Sequence, residues 1–159
     1  MKGYVVDARI LVRRFAQEHW SDEASRLLEA EATVIAPELL FAEVCNALRA
    51  AHRRGDIGPQ DLADAIDALK AAPIAVPFST RQLAASSTRL AVDLDHPVYD
   101  CFYLALAIQE QYRVVTADAR FHRKVSGHPY LADRITHLVS IDLDWHSKTG
   151  LVRSRLCGS

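Results

Sequence analysis

Arg113-Val114-Val115-Thr116-Ala117-Asp118 is a short apolar run that ends on an acid, and Tyr4-Val5-Val6-Asp7 repeats the pattern near the N-terminus. Runs this short and this rich in valine predict buried strands. If the two strands are parallel neighbours, Asp7 and Asp118 emerge at the same edge of the sheet. Open α/β folds place their sites at that edge.

Working outward, a short helix carrying Ile10, Leu11 and Phe15 follows the first strand. Ser21 reads as the N-cap of a second helix, with Asp22 and Glu23 in its first turn and Ala24, Leu27 and Leu28 as its stripe. Thr33–Ala36 is a candidate second strand. Pro37 opens a longer helix ending near Gly55, with Leu39, Leu40, Val44, Ala47 and Leu48 on one face. Pro59 starts another, striped by Leu62, Ala65, Ile66 and Leu69. Ile74–Val76 is expected to be a third strand. Helices from Thr80 and Pro97 follow, then the strand Val114–Thr116, and a last strand is expected at Leu138–Ile141. Strands separated by helices imply an α/β domain, a three-layer α/β/α arrangement with a central, mainly parallel sheet, rich in helix. The helices between the second and third strands exceed what a crossover needs, and a projecting hairpin that pairs with another subunit is expected. One domain over 1–145 and a C-terminal tail over 146–159 account for the chain.

The 159 residues carry a net charge of −1, with 50% hydrophobic and 25% charged residues. This is ordinary for a globular domain, and any nucleic-acid partner must use a local basic patch. Cys45, Cys101 and Cys157 form neither a disulfide framework nor a zinc pattern. Cys45 and Cys101 are expected as buried free thiols, in keeping with a reducing compartment. Neither a signal peptide nor a membrane span is expected, and the location inferred is cytoplasmic.

Glu43 and Asp100 lie on helices between the two strand-end acids, each in an apolar setting: Phe41, Ala42, Val44 and Cys45 surround one, and Tyr99, Cys101 and Phe102 the other. Taken singly, each acid has a structural reading. Asp7 and Asp118 can cap helices, Asp100 can favour a helix dipole, and Glu43 can be solvated. Together, four converging carboxylates repel one another unless a cation joins them. Hard oxygen donors suit Mg²⁺ or Mn²⁺, and such a site promotes phosphodiester hydrolysis. Asn46, three residues after Glu43, can orient that glutamate or a water, and Thr116 can hydrogen-bond a carboxylate. Arg49, Arg53 and Arg54, and Arg113, Arg120, Arg123 and Lys124, are either solvated faces or contacts for RNA phosphates. The seven histidines show no metal spacing and are read as structural.

Tyr4–Asp7, Ala42–Leu48, Tyr99–Ala107 and Val115–Asp118, in this order and spacing, resemble the motifs of PIN-domain ribonucleases, and within them the VapC-type toxins of type II toxin–antitoxin systems. The resemblance runs from about residue 3 to residue 142. It implies a PIN-like fold and an endoribonuclease dependent on Mg²⁺ or Mn²⁺. It further implies Asp7, Glu43, Asp100 and Asp118 as metal ligands or catalytic acids, a homodimer, a cognate antitoxin that blocks the site, and transfer or ribosomal RNA as substrate. No membrane partner is implied. Two departures stand out. Arg9 occupies a position where members often carry a small polar residue. His122 lies where some carry an extra acid, leaving four acids here.

Arg9 leaves three readings open: it compensates the carboxylates and weakens metal binding, it grips the scissile phosphate, or it points away. The first yields an alternative function, a catalytically weak or inactive PIN-like binding or regulatory module with Arg9 filling the metal site. An aspartyl-phosphate phosphatase needs Asp-x-Asp, and Asp7-Ala8-Arg9 does not supply it.

Overall fold

Parallel pairing of the two acid-ended strands is the centre of the fold. The computed structural model describes residues 3–15 and 32–140. The helix expected after Ser21 and the 146–159 tail lie outside those residues. Among these residues four strands, β1 (Gly3–Val6), β2 (Thr33–Ile35), β3 (Arg113–Thr116) and β4 (Ile135–His137), form one sheet of order β2-β1-β3-β4 in which every pairing is parallel. Val5, Val6, Val114 and Val115 are fully buried, as expected for strands covered on both faces.

Six α-helices lie among the described residues: α1 (Ala8–Phe15), α2 (Leu39–Arg54), α3 (Pro59–Ala71), α4 (Thr80–Leu94), α5 (Val98–Glu110) and α6 (Ala119–Ser126). They cover the sheet as the outer layers of an α/β/α sandwich. Local sequence sets their ends. Gly55, at φ 82°, closes α2, and Gly58 and Pro59 open α3. Ser79 and Gln82 form a reciprocal capping box at the start of α4. The stretch Cys101–Ala107 of α5 is buried all round, which places this helix against β1 and β3 and beneath α4. No helix among the described residues is long and apolar enough to cross a membrane.

Three expectations need correction. Ile74–Val76 is not a strand: Ala75 makes a single parallel bridge to Ile35, donating to Val34 O and accepting from Ala36 N. Pro73 and Pro77 on either side have no N–H to extend the ladder. Among the described residues the last strand is Ile135–His137, and Leu138–Ser140, the described part of the expected Leu138–Ile141, is not a strand. Ile135 pairs with Val114 and Thr136 with Val115, while Leu138 is buried just beyond the strand. Finally, Cys45 is exposed and Cys101 buried. The inward face of α2 runs Leu40, Val44, Leu48, Ala51, and one step of about 100° turns Cys45 away from it.

Candidate metal centre

The register of β1 on β3 builds the first half of the site. Val6 pairs with Val115 and Asp7 N donates to Val115 O, so Asp7 comes beside Thr116. Thr116 Oγ1 donates to Asp7 Oδ2 and accepts from Asp118 N at 2.9 Å. One buried hydroxyl therefore ties both strand-end aspartates. Asp7 Oδ1 accepts from Arg9 N at 2.5 Å.

Asp7 is 7% exposed. Burial, reinforced by the charge of Asp100, pushes its carboxyl up from 3.8 to about 6, against the opposing pull of Thr116, the Arg9 N–H and the Arg9 charge. Glu43, half-buried on α2, is also raised. Desolvation leads, Asp100 and Asp7 add repulsion, and the hydrogen bond from Tyr103 and the charge of Arg9 oppose it. Asp7, just past β1, and Glu43, on α2, thus both feel the charge of Asp100 in the first turn of α5, and Glu43 also feels that of Asp7.

Asp118 differs. It is the N-cap of α6, accepting from Arg120 N at 2.8 Å and Phe121 N at 3.2 Å. Arg9 Nη2 lies 2.9 Å from its Oδ2. Burial favours its neutral form, but the Phe121 N–H, the Arg9 guanidinium and the Arg120 N–H outweigh burial and hold the carboxyl below its ordinary value. Arg9 does not point away: it neutralises Asp118 and its charge reaches Asp7 and Glu43. Its side chain is 60% exposed, so it can reach solvent or a ligand without leaving the site.

Two partners of the acids were missed in the sequence. Tyr103 Oη donates to Glu43 Oε2. Tyr103 is buried in α5, where a phenol needs an acceptor, and that need was the available signal. Desolvation and the neighbouring Glu43 push this phenol far above its ordinary value, which keeps it a donor. His96 Nε2 lies 2.7 Å from Asp100 Oδ2. The spacing His96-x-x-x-Asp100 was the signal, and reading every histidine as structural passed over it. Asn46, by contrast, is exposed and accepts from Arg49 Nη2 at 3.4 Å, so the partner of Glu43 is Tyr103.

Among the described residues, no three His, Cys, Asp or Glu side chains form a ready-made ligand cage. Each carboxylate holds a protein partner instead. The donor set still fits a hard divalent cation. It is all carboxylate oxygen, and two members are kept protonation-prone by burial and mutual repulsion that a cation would relieve. Asp7, Glu43 and Asp100 would hold it, with Asp118 joining on release from Arg9. The exposed cations Arg120, Arg123 and Lys124 lie along α6, next to this edge.

Comparison with known proteins places the chain. The family model for the PIN domain matches residues 4–126, more than half its length. No curated protein sequence matches it. Among solved structures, PAE2754 from Pyrobaculum aerophilum is similar at TM-score 0.64 and 18% identity, covering 92% of this chain and 97% of that one. A toxin–antitoxin complex from Klebsiella pneumoniae is similar at TM-score 0.58 and 17% identity, covering 86% and 98%. VapBC2 from Rickettsia felis, bound to a DNA fragment from its promoter, is similar at 0.60 and 15%, covering 84% and 97%. At these identities the likeness is one of fold, and the family assignment rests on the sequence match: the chain belongs to the PIN domain family.

Proposed function

We propose that this chain is a metal-dependent endoribonuclease, the toxin of a toxin–antitoxin pair, and that Asp7, Glu43, Asp100 and Asp118 are its catalytic acids. The observation that carries the proposal is the gathering of Asp7 and Glu43, both desolvated, within reach of the charge of Asp100 at the carboxyl edge of a parallel sheet, in a PIN domain. The two toxin–antitoxin complexes of like fold support a cognate antitoxin as partner. Transfer or ribosomal RNA as substrate, a homodimer built on the α2–α3 hairpin, and a cytoplasmic setting complete the reading.

Bound Mg²⁺ or Mn²⁺ would supply charge neutralisation at the phosphate and acidify the attacking water. The chain's own groups do the rest. Thr116 Oγ1 and Arg9 N hold the two oxygens of Asp7 in place. Tyr103 Oη fixes Glu43 Oε2. A carboxylate of the set accepts the proton of the water that attacks phosphorus in line, while the opposite P–O ester bond breaks and its oxygen leaves, taking up a proton from solvent. Arg9 can exchange Asp118 for a phosphate oxygen as a forked donor, and Arg120, Arg123 and Lys124 hold flanking phosphates.

A second reading is favoured by the Arg9–Asp118 ion pair. In it, Arg9 fills the cation's place and the chain is a binding or regulatory module. Purified wild type, Asp7→Asn and Asp100→Asn distinguish the two. The enzyme reading expects cleavage of RNA by the wild type only, with Mn²⁺ bound by titration calorimetry. Equal cleavage by all three, or no Mn²⁺ bound at millimolar concentration together with no cleavage, refutes it; the latter outcome favours the module.

A further inference from the structure

We infer that His96 is a positioning residue for Asp100, the buried group that fixes how this acid faces a cation. The inference rests on the metal-centre reading above and goes beyond it. His96 Nε2 lies 2.7 Å from Asp100 Oδ2, and its side chain is 4% exposed. An ionised carboxylate only accepts, so the imidazole proton in this bond is on Nε2. With Oδ2 engaged, Asp100 offers Oδ1 to a ligand.

The ring has little freedom. It stacks on Phe121 of α6, with ring centroids 5.0 Å apart and planes at 22°. Phe121 is itself 1% exposed, and its N–H donates to Asp118 Oδ1. His96 therefore stands between the two acid-bearing helix starts, that of α5 with Asp100 and that of α6 with Asp118. The backbone is equally fixed. Asp95 takes a left-handed conformation at φ 46°, His96 N donates to Ala91 O at 3.0 Å, and Pro97 follows at once. A residue held only for packing needs the ring and not the donor. The short bond to a site acid is what an additional packing role leaves unexplained. Hydrogen-bond partners of ligating carboxylates set ligand orientation, and their loss weakens metal binding.

Two variants separate donor from ring. His96→Phe keeps an aromatic ring for Phe121 and deletes the donor. His96→Gln keeps a donor at similar reach and deletes the ring. Mn²⁺ is titrated into the full-length protein by calorimetry, and the bound ion is followed by electron paramagnetic resonance. His96→Phe is expected to bind Mn²⁺ about 10-fold more weakly, with an altered spectrum, and His96→Gln to recover most of the affinity. Wild-type affinity in a folded His96→Phe overturns the inference and leaves the nuclease reading standing. Loss in His96→Gln as large as in His96→Phe also overturns it, because the ring then matters rather than the donor. Should His96→Phe not fold, His96→Gln still decides: wild-type affinity and spectrum support the donor, and a loss of about 10-fold counts against it. If the wild type binds no Mn²⁺, the metal-centre reading falls and this inference falls with it.

Discussion

Replacing Asp7 by asparagine should make the metal-free protein more stable at neutral pH while removing its metal response. Asp7 has a folded-state pKa near 6 against 3.8 as the ordinary value. A carboxyl raised in this way adds full stability below 3.8, where it is protonated in both states. That contribution is lost as pH rises through about 6. By pH 7.5 the ionised, buried Asp7 therefore costs about 3 kcal/mol. Asparagine mimics the protonated form and escapes the cost. Its Oδ1 still accepts from Arg9 N, but its Nδ2 meets Thr116 Oγ1, which now donates to Asp7 and must turn to accept. Losing that donation costs about 1 kcal/mol. The net expected gain is about 2 kcal/mol, or roughly 4–8 °C in melting temperature for a domain of this size. Urea unfolding in EDTA measures it, at pH 7.5 and at pH 4. The gain should be present at the higher pH and vanish or reverse at the lower. Millimolar Mn²⁺ should then stabilise the wild type and leave Asp7→Asn unmoved. A variant no more stable than the parent at pH 7.5, or equally favoured at both pH values, would refute the reasoning about a desolvated site acid.

Mn²⁺ affinity should fall as pH drops through about 6, because Asp7, and Glu43 with a raised pKa of its own, then take up protons in competition with the ion; calorimetry giving one affinity at pH 5 and 7.5 contradicts this. Thr116→Val keeps the shape of the side chain but removes the donor to Asp7 and the acceptor for Asp118 N. It should cost about 2–4 kcal/mol in urea unfolding and raise the Asp7 pKa further by nuclear magnetic resonance titration. Gly3→Ala brings a Cβ to 2.2 Å from the Tyr112 ring; the expected loss is about 1–3 kcal/mol, partly recovered in Gly3→Ala/Tyr112→Ala, and additive losses in the double variant argue against the clash.

Sequence by itself fixed the elements whose causes are local. Valine runs made β1 and β3, proline and glycine set the ends of α2 and α3, and the apolar stripes chose their inward faces. It also marked the four acids, because a carboxylate at the end of an apolar run or within an apolar helix is conspicuous. The order and spacing of those motifs carried the family, which the PIN domain match confirms. Where two adjacent runs had similar propensity, as at Ile135–His137 and the residues after it, sequence chose the wrong one. Pairing with β3 decides that choice.

Tertiary structure alone decided what each acid touches. Tyr103 is 60 residues from Glu43, and Thr116 is 109 from Asp7. Nothing in local periodicity brings such pairs together. They meet because a parallel register fixes Asp7 beside Thr116 and because burying α5 carries its tyrosine to α2. The same is true of charge. Arg9 reads as a departure in one dimension, but in the fold it is the counter-ion of Asp118, and burial makes Asp7 a reluctant anion. Desolvation and long-range pairing are properties of the packed state, so the sequence could name these residues but not assign their energies.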